Sequence, residues 1–365
     1  MAMKLDPHQP LGEDFTAAVQ ASLDHFIDTQ RDLLAETGER LTIIWDEVAH
    51  FTRGGKRMRP AFCYWGYVAV AGSDSNPPHA VMDIASSLDL LHLFALVHDD
   101  LIDASDTRRG APAAHRFFEN YHRENSWQGD SEEFGRNAAL LLGDLLFGWS
   151  LAMVEQTTLS SERLKRARPY LDAMRSEVLA GQFLDVLHQV RPSADKDVVA
   201  DAKLVMEFKT AKYTVSRPVQ IGAALALASD GIQQGLGRFG AHVGYAFQMR
   251  DDLLGVFGDP AVTGKPAGDD LRQGKQTALI GYALKGASPS EVTRLKQILG
   301  NPDVTEEAID QARQILTDSG AVASTEKAIM REAAAGMKHL HRLDLSAEGA
   351  YALMALVHAA VERTA

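Results

Sequence analysis

An all-α fold is the expectation for this chain. Apolar residues recur at helical spacing almost everywhere, while alternating strand patterns are almost absent. Ala, Leu, Val and Met dominate the long segments, and Gly and Pro cluster between segments rather than within them. With 365 residues, 45% of them hydrophobic, the chain can bury a large core, and no repeat or linker divides it. Residues 1–365 therefore read as one domain, a single large helical bundle.

The elements follow in order. Residues 15–34 form an amphipathic helix, and 41–51 a second. The basic loop Arg53-Gly54-Gly55-Lys56-Arg57-Met58-Arg59-Pro60 leads into a helix over 61–71, with Pro60 suited to a first helical position. A turn at 73–78 precedes a long apolar helix over 79–103. Residues 106–112 read as a loop, and the polar segment 123–136 as a surface excursion. Helical segments are expected over 137–156, 164–190, 198–212, 219–229 and 236–256. Residues 257–275 are rich in glycine and charge, and loops of that length are usually functional or disordered. Helices over 276–285, 288–299, 305–319, 321–340 and 347–363 close the chain.

A formal net charge of −12 argues against generic nucleic-acid binding, which needs surplus Lys and Arg. An anionic substrate would have to be held by local basic groups and metal. The lone Cys63 excludes an intramolecular disulfide and fits a reducing cytoplasm. Residues 1–14 carry no apolar core of a signal peptide, and no run approaches 18 uninterrupted apolar residues. A soluble protein is expected.

Two aspartate clusters end apolar helical runs: Asp99-Asp100-Leu101-Ile102-Asp103 and Asp251-Asp252-Leu253-Leu254-Gly255. Residues four apart share a helix face, so Asp99 and Asp103 point the same way with Asp100 about 100° round. Three carboxylates should converge at that helix end. Hard oxygen ligands suit Mg²⁺, which takes one or two carboxylates and completes its shell with water and phosphate. A lone cluster of this kind is as often a solvated helix face; two of them read as a two-sided clamp for a diphosphate.

Basic residues surround these clusters. Lys56 and Arg59 follow two glycines, a turn able to aim amides and cations at one phosphate, although alone it could equally be a solvated turn. Arg108 and Arg109 follow Asp103; beside a metal-bound diphosphate they form an anion clamp. His92 lies two helical turns before Asp99 on nearly the same face, which suits phosphate contact, whereas His98 is turned away and reads as structural. Lys209, Thr210 and Gln248 precede the second cluster and Lys265 and Lys275 follow it. Lys209 and Lys265 could hold the leaving diphosphate.

These motifs make the chain similar to the trans-isoprenyl diphosphate synthases of the polyprenyl synthetase family. The matching stretches are GGKRMRP at 54–60, HDDLIDASDTRRG at 98–110, GQFLD at 181–185, FKT at 208–210, FQMRDDLLGVFGD at 247–259 and GK at 264–265 and 274–275. The resemblance implies the isoprenoid synthase fold, a helical bundle around a central substrate cavity, and a homodimer. It implies that Asp99, Asp100, Asp103, Asp251 and Asp252 bind Mg²⁺ on an allylic diphosphate (dimethylallyl, geranyl or farnesyl). Asp99, Asp100, Asp103, Lys209 and Lys265 then carry the catalysis. Lys56, Arg59, His92 and Arg109 would hold isopentenyl diphosphate; Arg108, Lys209, Thr210, Gln248, Lys265 and Lys275 would contact the allylic substrate. The family places a further aspartate of the second motif at the position of Gly255 or at that of Asp259, so its third ligand is open.

Product length depends on the space below the first aspartates. Ala95 lies one turn beneath Asp99, bulky Phe94 flanks that path, and Leu91 and Leu88 lie deeper. In the family an aromatic residue five before the first aspartate with a small one at four before resembles geranylgeranyl (C20) producers, whereas aromatics at both suit farnesyl producers. The alternatives are a farnesyl or longer-chain synthase and a class I terpene synthase, which would lack the isopentenyl site. A silent partner subunit need not keep both aspartate pairs.

Overall fold

The computed structural model describes residues 5–72, 78–190, 198–259, 268–301 and 303–362. The all-α expectation holds: among the described residues only two strands occur, each two residues long. The helices are α1 (Glu13–Leu33), α2 (Thr42–Thr52), α3 (Met58–Ala71), α4 (His79–Ile102), α5 (Ala114–Glu124), α6 (Ser131–Glu155) and α7 (Ser161–Val190). They continue with α8 (Val198–Val205), a π-helical segment (Met206–Ser216), α9 (Arg217–Leu225), α10 (Asp230–Phe257) and the short α11 (Asp269–Arg272). The chain closes with α12 (Ala278–Gly286), α13 (Pro289–Ile298), α14 (Glu306–Asp318), α15 (Ala321–Leu340) and α16 (Ala347–Val361).

Several boundaries have visible causes. Asp130, Thr277, Ser288 and Thr305 each cap a helix by accepting a backbone N–H three residues on, and Ser288 with Glu291 completes a reciprocal capping box. Pro60 sits third in α3 rather than first, still within the turn whose N–H groups lack helical partners. The expected loop at 106–112 contains a hairpin of β1 (Thr107–Arg108) and β2 (Ala111–Pro112). The expected polar excursion is also more ordered than its composition implies. It holds the end of α5 and the start of α6, joined by Trp127, whose ring meets Tyr121, His122 and Phe134 at 5.5–6.0 Å.

The residues group into two compact units. The first runs to Pro169 and adds Pro218–Ser229 and Asp344–Leu356; the second holds Tyr170–Arg217, Asp230–Leu343 and the residues from Val357. In the first unit α4 packs against α6, α3 and α1, and its Ile84, Leu88, Leu90, Leu91 and Leu93 are fully buried. In the second unit α10 lies along α15 and the π-helical segment. Arg250 faces α15, making two bonds of 2.6 and 2.7 Å to Glu326. That anchors α10 one residue before Asp251.

By length and composition alone α4 and α6 are each long and apolar enough to cross a membrane, a test that core helices also pass. Within the fold 78% of the α4 window is buried, as in a core helix, against 44% for α6.

Candidate active site

The first aspartate cluster closes α4, where the Asp103 N–H bonds to the Asp99 carbonyl at 2.8 Å. Asp100 turns inward, fully buried, and takes the Arg108 guanidinium: Nε lies 3.0 and 2.8 Å from its two oxygens, and Nη2 adds a further bond. Arg108 also stands 3.7 Å from Asp99. Burial works against the charge of Arg108, but the bond to Asp100 and the charges of Asp100, Asp99 and Asp103 outweigh it and raise its pKa.

Arg108 reaches Asp100 because the hairpin sets its direction. Thr107 pairs with Pro112 and Arg108 with Ala111, leaving Arg109-Gly110 as the two-residue turn. Both turn residues have positive φ, 53° and 78°, the conformation that matches the twist of a tight hairpin. A non-glycine residue held there is strained by about 1–3 kcal/mol, which marks functional positions. The turn carries the Arg109 guanidinium back to the end of α2, just before the basic loop, where Nη1 donates to the Phe51 carbonyl at 3.3 Å. Gly55, at φ 85°, leaves the room: a Cβ there would stand 2.7 Å from Arg109 Nη2.

Within that loop Lys56 is exposed and Arg59 partly buried, while Arg57 plays a different part. Arg57 is buried and bonds to Asp89 of α4, to the Thr52 carbonyl and to Gln20 Oε1 at 2.8 Å. It pins the loop that displays Lys56 and Arg59. His92 lies in the same cationic field: burial, then the charges of Arg59, Arg109, Arg108 and Arg57, hold its pKa well below the ordinary value. A neutral imidazole among four arginines suits an anion that the guanidiniums neutralise.

Phe94 is buried, with its ring 5.0 Å from Phe147 of α6 and 4.7 Å from His98. Leu91 is buried beneath it and Ala95 is half-buried. His98 Nε2 lies 3.1 Å from the Leu140 carbonyl, in keeping with a structural role.

In the second unit the π-helical segment carries Lys209 and Thr210. Such segments are rare and frequent at functional sites. This one is admitted by glycines: a Cβ at Gly181 or at Gly244 would collide with the backbone of Lys209 or of Ala211. Lys209 Nζ meets Asp185 at 2.6 Å, Thr210 Oγ1 donates to Gln248 Oε1 at 2.5 Å, and Gln248 Nε2 donates to Asp252 at 2.7 Å. Asp252 is buried, and its pKa is pushed up to about 8. Burial is the main cause, reinforced by Asp270 and Asp251 against the Gln248 bond and Lys275. A divalent cation would compensate such a crowd of carboxylates, so the donor set fits Mg²⁺. Among the described residues no group of three or more His, Cys, Asp or Glu is already gathered to hold a metal. An ion that takes one or two carboxylates and completes its shell from substrate does not need such a cage.

Lys275 Nζ sits 3.3 Å from Asp270. Lys265 lies outside the described residues. Three participants escaped sequence reasoning: Arg57, hidden between two assigned cations; Asp185, part of a motif given no role; and Asp270, eleven residues beyond the segment where a third carboxylate was sought.

The chain is similar to several known proteins. The polyprenyl synthetase family model matches residues 43–316. A crystal structure of geranylgeranyl pyrophosphate synthase from Corynebacterium glutamicum, complexed with isoprenyl diphosphate and magnesium, is 39% identical. It covers 98% of this chain and 100% of its own, with a TM-score of 0.91. The geranylfarnesyl diphosphate synthase of Aeropyrum pernix is 33% identical over 82% of this chain and 86% of its own. A (2E,6E)-farnesyl diphosphate synthase of Mycobacterium bovis is 30% identical over 85% of this chain and 80% of its own.

Proposed function

This chain belongs to the polyprenyl synthetase family, and from that membership we propose that it condenses isopentenyl diphosphate head-to-tail with allylic diphosphates to make geranylgeranyl diphosphate. The observation that carries the two-substrate reading is the cluster of Arg57, Arg59, Arg108 and Arg109 whose charges act on His92, beside exposed Lys56. A class I terpene synthase, with no second diphosphate to bind, has no use for it.

Magnesium, held by Asp99 and Asp103 and by Asp251 and Asp252, would supply the Lewis acidity that draws charge onto the departing allylic diphosphate. Lys209 and Lys275, with Lys265, hold that diphosphate as it leaves, and stabilise its growing charge without reorganisation. Thr210 and Gln248 orient the allylic end through their shared bond. Arg59, His92, Arg109 and Lys56 hold isopentenyl diphosphate so that its alkene meets the allylic cation. The released diphosphate accepts the proton lost from the condensed product, so no protein base is required. Arg108, oriented by buried Asp100, contacts the allylic diphosphate.

Similarity to the C. glutamicum enzyme and the pairing of half-buried Ala95 with Phe94 support a C20 product; similarity to the A. pernix enzyme makes C25 the runner-up. Leu140 and Leu141, 46% and 64% exposed on α6, support a homodimer. Buried Cys63 suits a cytoplasmic setting. Phe94→Ala should move the products above C20 when isopentenyl diphosphate and farnesyl diphosphate are supplied; an unchanged product distribution would refute this chain-length gauge.

A further inference from the structure

The second aspartate cluster is short of a carboxylate where its helix would present one. Residues 251 and 255 lie four apart on α10 and share a face, so an aspartate at 255 would stand beside Asp251. Position 255 is glycine. The space it leaves is filled from elsewhere. The Gly268 N–H bonds to the Gly255 carbonyl at 3.2 Å and brings α11 against α10. From α11 the Asp270 carboxylate enters, with Oδ2 so close that a Cβ on Gly255 would overlap it.

We infer that Asp270 is the third carboxylate of the second metal cluster, delivered by α11 into the cradle of Gly255 in place of a side chain from α10. The inference rests on the magnesium-dependent reading proposed above. Two observations support it. The other oxygen of Asp270, Oδ1, lies 3.3 Å from Lys275 Nζ, and the Lys275 N–H bonds to the Asp270 carbonyl at 3.0 Å. An ammonium ion thus already sits on this carboxylate, showing that a cation can approach it. Asp259, the other candidate for the third ligand, is exposed, whereas Asp270 is half-buried. Glycine at 255 and aspartate at 270 are therefore a matched pair, since the absence of one side chain makes room for the other.

The pairing makes a reciprocal test possible. Mn²⁺ binding in the presence of inorganic pyrophosphate is measured by the paramagnetic resonance of the free ion, for the wild type and for Asp270→Ala, Gly255→Asp, Gly255→Asp/Asp270→Ala and Asp251→Asn. Asp270→Ala should lose one Mn²⁺ or bind it about tenfold or more weakly. Gly255→Asp should also bind less Mn²⁺, because its side chain collides with Asp270. The double variant, with one carboxylate in the cradle again, should recover the wild-type number. That recovery also excludes misfolding as the cause of the single-variant losses. If Asp251→Asn loses an ion while Asp270→Ala binds Mn²⁺ as the wild type does, Asp270 is not part of the cluster and the inference fails alone. If Asp251→Asn loses none, the metal reading of the proposed function fails and takes this inference with it.

Discussion

Asp89→Ala tests how the basic loop is held. Arg57 and Asp89 form an ion pair with side chains only 3% and 5% exposed. Without the carboxylate, the guanidinium keeps just two neutral acceptors, Thr52 O and Gln20 Oε1. A buried charge stranded in this way destabilises by about 3–5 kcal/mol. With an unfolding entropy of about 2.1 cal/mol/K per residue, that loss lowers the melting temperature of this 365-residue chain by about 4–7 °C. Calorimetry and urea unfolding measure the loss, and the KM for isopentenyl diphosphate should rise as Lys56 and Arg59 lose their mooring. Replacing both partners with apolar residues, Arg57→Met/Asp89→Leu, should cost less than Asp89→Ala alone, because no charge is left buried. A loss below about 1 kcal/mol for Asp89→Ala would refute the reasoning.

Glu47 in α2 is 1% exposed, and burial pushes its carboxyl up from 4.5 to about 8. The fold therefore prefers the neutral acid: stability falls as pH rises from 4.5 towards 8 and then levels, a penalty of at most about 5 kcal/mol. Glu47→Gln should remove it, so the variant's advantage in unfolding free energy grows across that window; an advantage independent of pH would contradict the assignment. Arg109→Asn should separate stability from function. Asn-Gly is a favoured hairpin turn, so the variant should match or exceed wild-type stability by up to about 1 kcal/mol while its KM for isopentenyl diphosphate rises. A fall in stability, or an unchanged KM, would count against the strained-turn account.

Much of the fold was open to sequence reasoning because helical periodicity and caps are local signals. The boundaries of α1, α4 and α15 agree with expectation to within about two residues, and the Ser288-to-Glu291 box is readable directly. What stayed hidden depends on distant partners. The Arg109-Gly110 turn lacks the Asn-Gly signature, and its conformation is imposed by a hairpin too short to show strand alternation. The π-helical segment has no period of its own to read; it becomes intelligible once Gly181 and Gly244 are seen against it. The charges of Asp99, Asp100 and Asp103 all act on Arg108, whose pairing with buried Asp100 no helical pattern displays. Arg108 draws Asp100 inward, and only the folded hairpin could reveal that. For the same reason the third carboxylate was sought at 255 and 259, near in sequence, while Asp270 arrives by tertiary packing.

Sizing the products tests the two-substrate condensation most directly. The purified protein is incubated with Mg²⁺, labelled isopentenyl diphosphate and each of dimethylallyl, geranyl and farnesyl diphosphate, and the dephosphorylated products are sized, alongside Asp99→Ala. Label should enter a C20 alcohol from at least one primer and be lost in the variant. Label that enters no allylic product, or a variant that turns over unchanged at saturating Mg²⁺, would contradict it.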